Sequence, residues 1–287
     1  IATWNVRTLF QTDKLAQVIK EFENYNLSIL GITEMRWTGH GKIKSQGKTI
    51  LYSGTEELHH KGVGMILNKE AEKALNGWKA INERIITARF QSRHTKTTIV
   101  VTYAPTEEAE EEEKDIFYNQ CQEVFDDIPK HDMILLMGDM NAQIDNNREG
   151  LEHVIGPHGS ALRTNENGER LLMFCNANGI CVGNTYFKHK LIHKKTWESP
   201  NGDVKNEIDY ICINQRLRSA LRDVRVYRGA DVGSDHQLVI ANLKIKFKKI
   251  LKPTLNKPYD IKKLKNDETK REFQLALKYR FEVLQQS

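Results

Sequence analysis

The stretch Met133-Ile134-Leu135-Leu136-Met137-Gly138-Asp139-Met140-Asn141 decides the fold. Five apolar residues in succession read as a strand buried on both faces. The run stops at a glycine, and Asp139 and Asn141 follow at i and i+2, so that in extended chain their side chains leave on the same side. A buried strand that delivers a carboxylate and an amide to one place at its end is how α/β folds assemble sites. The plainer reading is a strand running into an Asx-type turn. The choice depends on what the other strand ends supply.

Upstream, β-branched segments at 85–91 and 97–103 close on Tyr103-Ala104-Pro105, and residues 107–128 read as a helix. Thr106 can cap that helix, and the Glu run 107–113 lies where its macrodipole favours negative charge, most simply as a solvated face. Nearer the start, residues 1–6 and 27–33 read as strands. Between them Leu15, Val18, Ile19 and Phe22 recur at helical spacing behind Thr12 or Asp13 as N-cap. A glycine-punctuated hairpin at 39–54 and a strand at 62–68 follow. Downstream, a helix over 168–178 stops at Asn178-Gly179, and strands are expected near 180–184, 207–213 and 237–243. Many short strands with few helices exclude a TIM barrel and a doubly wound parallel sheet. Two packed mixed β-sheets flanked by helices, an α/β arrangement, fit better.

The net charge of +5 is unevenly distributed. Residues 244–271 hold eleven Lys/Arg against three acids, which leaves −3 for residues 1–243. A generally basic nucleic-acid binder is therefore excluded, and any DNA-facing surface must be local. Cys121, Cys175, Cys181 and Cys212 form no C-x-x-C pair, so they read as small core residues of a protein from a reducing compartment rather than as zinc ligands. No apolar run is long enough for a membrane span, and no membrane partner is expected.

Acid or amide side chains recur where strands end: Asn5, Glu34, Asp139 with Asn141, Asp209, and Asp235 with His236. Asp209 stands inside the run Ile208-Asp209-Tyr210-Ile211, where a carboxylate is expensive unless paired, and His236 is the natural partner. The set suits phosphodiester hydrolysis. Glu34, Asn5 and Asp235 offer the oxygens a hard divalent cation takes, Mg²⁺ or else Mn²⁺. Asp139 or His236 could deprotonate a water. Asn141, His236 and the Tyr103 hydroxyl could donate to the phosphorane.

Thr3-Trp4-Asn5, Ile32-Thr33-Glu34, Tyr103-Ala104-Pro105, Gly138-Asp139-Met140-Asn141, Ile208-Asp209-Tyr210 and Gly233-Ser234-Asp235-His236 occur in the order of the endonuclease/exonuclease/phosphatase superfamily, which residues 1–245 resemble. The resemblance implies a four-layered α/β sandwich with the site at one edge of the sheets. It implies Glu34 as principal metal ligand with Asn5 and Asp235 supporting, and Asp139 and Asn141 on the water and phosphate. Tyr103 would touch the phosphate or leaving group, and His236, held by Asp209, would contact the phosphate or act as base. Within the superfamily the chain is similar to endonuclease domains of RTE-type non-LTR (LINE) retrotransposons and to craniofacial development protein 2-like host proteins. The residues concerned are Thr3–Leu9, Glu34–Trp37, Thr196–Pro200 and Gly229–His236.

The best local DNA patch lies between Tyr186 and Trp197, where Lys188, Lys190, Lys194 and Lys195 interleave with aromatics and no acid, Trp197 among them. The plain alternative is a solvated hairpin. Arg36 follows Glu34 and could also reach DNA. The cluster Arg216, Arg218, Arg222, Arg225 and Arg228 reads as a solvated face. Glu207 puts a carboxylate near the expected DNA side, and the aromatic sugar pocket of abasic endonucleases is not spelled out.

After residue 245 a basic, proline-containing linker is expected over 246–271, then an amphipathic helix over 272–287 built on Phe273, Leu277, Phe281 and Leu284. That tail looks like the start of the connection to a reverse transcriptase domain of a longer polyprotein. The expectation is a Mg²⁺-dependent endonuclease that nicks one strand of double-stranded DNA, primes reverse transcription with the 3′-hydroxyl, and works in the nucleus. Its rivals are an abasic-site repair endonuclease or related phosphatase, and a domesticated, non-catalytic DNA- or chromatin-binding protein.

Overall fold

A computed structural model describes residues 1–11, 13–93, 95–245 and 265–285. The chain divides into two units, Ile1–Ile250 and Leu251–Ser287. In chain order the first unit runs β1 (Ala2–Asn5), α1 (Lys14–Asn24), β2 (Ile29–Thr33), β3 (His40–Ser45), β4 (Lys48–Ser53), β5 (Val63–Leu67), α2 (Lys69–Ala74), β6 (Leu75–Asn82), β7 (Ile85–Gln91) and β8 (Lys96–Tyr103). It continues with α3 (Glu111–Asp126), β9 (Met133–Asp139), α4 (Glu166–Ala177), β10 (Ile180–Val182), β11 (Trp197–Glu198), β12 (Lys205–Asn206), β13 (Asp209–Asn214), β14 (Leu221–Tyr227) and β15 (Leu238–Leu243).

One sheet has the order β14-β15-β1-β2-β5-β4-β3 and the other β10-β13-β9-β8-β7-β6. Each is mixed: β1 and β2 are parallel in the first, β8 and β9 in the second, and the remaining pairs are antiparallel. The opening strand shows why two layers form. Met133, Leu135 and Met137 of β9 face the inter-sheet core with Leu51, Met65, Val101 and Val239. Ile134 and Leu136 face the other way, packing with Phe117 of α3 and Leu171 of α4. A third cluster sets Trp4, Leu30 and Ile32 of the first sheet against Val18, Ile19 and Phe22 of α1. The result is two mixed sheets packed face to face with helices outside. Gly31 of β2 lets the facing sheet pack close against it: an added Cβ would lie 2.8 Å from Val101 Cγ2 and 2.9 Å from Met137 Cε.

Several local expectations are corrected. Asp13 precedes α1 in a left-handed conformation (φ 68°) and makes no side-chain cap, while Thr12 lies outside the described residues. Thr106 does not cap the next helix. That helix starts at Glu111, with Glu111, Glu112 and Glu113 in its first turn, where the macrodipole favours them. Glu107 is used elsewhere, accepting from the Glu166 and Asn167 N–H groups (3.0 and 3.2 Å) at the start of α4. Strands β6 and β14 and the short α2 were not legible. Strand β6 is an edge strand interrupted by Asn76 and Gly77, with most of its residues in solvent contact. In β14, Val224 and Val226 alternate inward between residues of the arginine cluster. The four cysteines are free and buried.

In the second unit a helix α5 spans Asp267–Gln285, starting earlier than the hydrophobic pattern indicated. Phe273 and Leu277 are exposed on it; the side chains of Phe281 and Leu284, and most of the expected linker, lie outside the described residues. No described helix is long and apolar enough to cross a membrane.

Candidate active site

Three adjacent strands put Tyr103, Asp139 and Asp209 in one row. Asp139 at the end of β9 is in register with Tyr103 of β8 on one side and Asp209 of β13 on the other. Gly138 makes this ending possible: its φ is +147°, and a Cβ there would lie 1.8 Å from the Thr102 carbonyl oxygen. From the facing sheet, β1 ends in Asn5, β2 runs directly into Glu34, and Asp235-His236 stand just ahead of β15, which pairs with β1. Both sheets thus finish at the same edge, and their terminal polar residues meet.

The contacts are specific. Asn5 Nδ2 donates to Glu34 Oε1 (2.8 Å) and to Asp139 Oδ2 (2.9 Å), bridging the two carboxylates across the sheets. The Tyr103 hydroxyl donates to Glu34 Oε1 at 3.1 Å, and Arg36 donates to Glu34 Oε2 at 3.0 Å. His236 Nδ1 lies 2.9 Å from Asp209 Oδ2, while Nε2 is 3.8 Å from Asp139 Oδ2. The His236 carbonyl accepts from the Trp4 indole (3.0 Å), and its N–H donates to Ser234 Oγ. Asp235 Oδ2 accepts from Trp197 Nε1 at 3.3 Å, with Arg7 at 3.9 Å. Asn141 does form the Asx turn, its N–H bonding Asp139 Oδ1 at 3.0 Å, yet it lines the cleft as well; its amide donates to the Ala104 carbonyl. The Asx turn and the cleft position of the opening stretch are thus compatible.

Backbone strain concentrates here. Arg7, Glu34, Arg36 and Asn141 all have left-handed φ, between 47° and 62°. Non-glycine residues in that region cost on the order of 1–3 kcal/mol each and persist where the surroundings over-determine them.

Charge is equally concentrated. Burial, and then the neighbouring Asp209 charge, push the Asp139 carboxyl up to about 7 against the opposing pull of His236 and Asn5. Burial would lower the His236 imidazole, but the charges of Asp209 and Asp139 more than offset it and raise the ring to about 9. The Tyr103 phenol is pushed up by burial and by Glu34, so it stays a neutral donor. Asp139, Asp209 and His236 offer atoms within 4.8 Å of one another, a group able to hold a metal ion. The His236 ring already bonds Asp209 through Nδ1 and stands with Nε2 3.8 Å from Asp139 Oδ2, so a cation between them would compete with the imidazole for the same carboxylates. Glu34 and Asp235 fit a hard cation better: they are oxygen donors whose side chains keep 16% and 24% exposure to the cleft. The Asp209 Oδ1 atom, buried without a partner, is a further free oxygen in the same cluster.

Asn5, Glu34, Tyr103, Asp139, Asn141, Asp209, Asp235 and His236 therefore converge, most of them on a cleft of about 330 Å³ that Arg7 and Trp197 also line. The expected DNA-facing residues do not form one group. Lys188 and Lys190 are exposed. Lys194 is buried, with Nζ donating to the Asn184 carbonyl (2.9 Å) and 3.8 Å from Glu207. Lys195 is half-buried and donates to the Ser160 carbonyl. Glu207 is likewise internal, accepting from Ser160 Oγ and Asn184 Nδ2, so it does not face a ligand. Sequence reading passed over Arg7, although it stands two residues after Asn5 as Arg36 stands two after Glu34. It also passed over Thr196, whose hydroxyl accepts from the N–H groups of Ile208 and Asp209.

Residues 2–236 match the model of the Endonuclease/Exonuclease/phosphatase family. The chain belongs to that family. Craniofacial development protein 2 of Bos taurus is 39% identical over 254 residues, covering 88% of this chain and 42% of that protein. The chain thus spans less than half the length of this relative. Among solved structures, the 3′ phosphatase NExo from Neisseria bound to product DNA hairpin aligns with TM-score 0.63 at 19% identity, over 84% of this chain and 98% of that one. The endonuclease domain of TRAS1, a telomere-specific non-LTR retrotransposon, aligns with TM-score 0.60 at 14% identity, over 85% and 97%. These two likenesses establish the shared fold.

Proposed function

We propose that the chain is a divalent-metal-dependent endonuclease that nicks one strand of double-stranded DNA and leaves a 3′-hydroxyl and a 5′-phosphate. The observation that carries this reading is the row Tyr103–Asp139–Asp209 meeting Asn5, Glu34 and Asp235-His236 at one cleft. Glu34 and Asp235, with Asn5 beside them, would hold the ion, Mg²⁺ or Mn²⁺, which when bound supplies charge stabilisation at the phosphate. With the imidazole raised to about 9, His236 is already protonated near neutral pH and serves as a donor to the phosphoryl oxygen. Asp139, raised toward neutrality, is then the group that takes the proton from the attacking water, which Asn141 helps to orient. Tyr103, held as a neutral phenol, would turn its O–H from Glu34 to the leaving side once Glu34 holds the ion.

The motif pattern further supports placing this activity in an RTE-type retrotransposon lineage. There the nick would prime reverse transcription by a downstream reverse transcriptase domain, in the nucleus. Lys188 and Lys190 are the exposed cations of the expected patch that would meet backbone phosphates.

Supercoiled plasmid, an abasic duplex and inositol polyphosphates should be offered to the purified protein in Mg²⁺, in Mn²⁺ and in EDTA, beside Glu34→Ala. Intact plasmid is expected to be nicked with either metal, and the variant to lose that activity by at least a hundred-fold. Preference for the abasic duplex or the inositol phosphate would replace this reading with a repair or phosphatase activity. Wild type no faster than Glu34→Ala would leave a non-catalytic DNA-binding protein.

A further inference from the structure

Beyond the cleft, the loops after β1, β2 and β4 and the β3–β4 hairpin form a second hollow. It encloses about 270 Å³ and is lined by Phe10, Trp37, Thr38, Ile43, Tyr52 and His59. Four of these six side chains carry rings. Phe10 is 63% exposed, an unusual cost for a phenyl group, and leans on the His59 ring with centroids 4.2 Å apart. Trp37 stands edge-on to Tyr52 at 5.2 Å and is fixed by its indole N–H, which donates to the Leu9 carbonyl at 3.1 Å. His59 Nδ1 lies 2.8 Å from the Arg36 carbonyl.

Arg36 ties the hollow to the cleft by its hydrogen bonds. The guanidinium of that residue holds Glu34, its carbonyl holds His59, and Trp37 follows it in sequence. Arg7, three residues before Phe10, lines the cleft itself. Its side chain is 57% exposed, with Nη1 3.9 Å from Asp235 Oδ2. A strand with one phosphate in the cleft would therefore pass the partly exposed guanidinium groups of Arg7 and Arg36 on its way to the exposed Phe10 and His59 rings. Positive charge along a backbone track, with aromatic faces beside it, is the arrangement that binds a nucleotide without regard to sequence. A protein partner would find few hydrogen-bonding groups here, and the volume suits a single heteroaromatic ring rather than a drug-sized molecule.

We propose that Phe10, His59, Trp37 and Tyr52 form a stacking subsite for one unpaired or extruded nucleobase next to the phosphate held in the cleft. The inference deepens the nuclease reading and rests on it for the kind of ligand. The base inserts against Phe10 and His59, and the subsite selects substrate by how easily that base leaves its stack. Preference for deformable steps over a fixed base sequence follows.

The test uses the full chain in EDTA, so that nothing is cut, and a fluorescein-labelled duplex carrying a single unpaired 2-aminopurine. Wild-type binding should change the 2-aminopurine emission. Phe10→Ala should weaken affinity by roughly ten-fold and abolish that change, Phe10→Tyr should keep both, and Phe10→Leu should behave like Phe10→Ala. The slope of log affinity against log salt should stay as in wild type for Phe10→Ala, because no phosphate contact is lost. Full affinity in Phe10→Leu, or an unchanged emission on binding, would overturn the subsite. Plasmid nicking, run in parallel on wild type and Glu34→Ala, separates the two claims. Loss of nicking with an intact Phe10 effect removes only the nuclease, and intact nicking without a Phe10 effect removes only the subsite.

Discussion

Asp132 stands just ahead of β9 and Asp139 ends it, and both are cut off from solvent, at 0% and 2% exposure. Their surroundings differ in every other respect. Asp132 accepts two bonds from one guanidinium, Arg89 Nε at 2.7 Å and Nη2 at 2.9 Å, and a third from Thr98 Oγ1 at 2.8 Å. Burial alone would raise its carboxyl, but Arg89 and Thr98 hold it below the usual carboxylate range. Asp139 faces another carboxylate, Asp209, and has only amide and N–H donors with a shared imidazolium to compensate, so its carboxyl rises to about 7. One strand thus carries a satisfied acid at its start and a frustrated one at its end. The frustrated one stands at the edge where both sheets end. A carboxylate matched to its own counter-ion holds the fold together and has nothing left for a substrate; one left among like charges can take up a proton or a cation.

The largest expected effect that tests this contrast is on chemistry. Asp139→Asn should lower plasmid nicking on the order of 10³-fold while leaving the melting temperature equal or higher, since it removes a buried like-charge contact. A variant that still nicks near the wild-type rate would break the contrast at the functional end. At the other end, Asp132→Ala should cost roughly 3 kcal/mol in urea unfolding, the low end of the range for a broken buried pair because Arg89 keeps some solvent contact. Nicking per folded molecule should be unchanged. If this variant lost activity before stability, Asp132 would not be a purely structural acid.

The smallest and sharpest effect is on the pH dependence of stability, where the two acids have opposite signs. The depressed carboxyl of Asp132 contributes stability that is present above the ordinary carboxylate range and is lost as pH falls through its lowered value. The raised carboxyl of Asp139 contributes stability that is full below about 4 and lost as pH rises through about 7. Urea unfolding across that range should therefore show a flatter profile between about 4 and 7 in Asp139→Asn. Asp132→Asn should flatten it only at the acid end. Identical profiles in both variants would mean that the two ends of β9 do not differ as argued.

Much of the site could be read in one dimension because its residues stand at one end or the other of a strand. Asn5, Glu34 and Asp139 follow apolar runs, Asp209 opens one and His236 stands just ahead of one, and the polarity change marks them. The loop cations could not be read that way. Lys194 and Lys188 look alike in sequence, yet one is folded beneath β13 on Asn184 and Glu207 while the other is exposed. Whether a long flexible cation is inside depends on an acid thirteen residues away in the chain and on the turn that brings them together. Strands β6 and β14 escaped for a related reason: they lie at or near sheet edges, where few side chains must be apolar.

For the opening stretch the division is clear. The run from Met133 to Met137, the glycine, and the acid and amide after it determined a strand buried on both faces with a polar end, because alternation and burial are local properties of an extended chain. That Asp139 is poised and Asp132 is not was decided only by tertiary structure. Both are aspartates bordering the same apolar run. What separates them is which neighbour β7, β8 and β13 bring to each, a guanidinium or a second carboxylate.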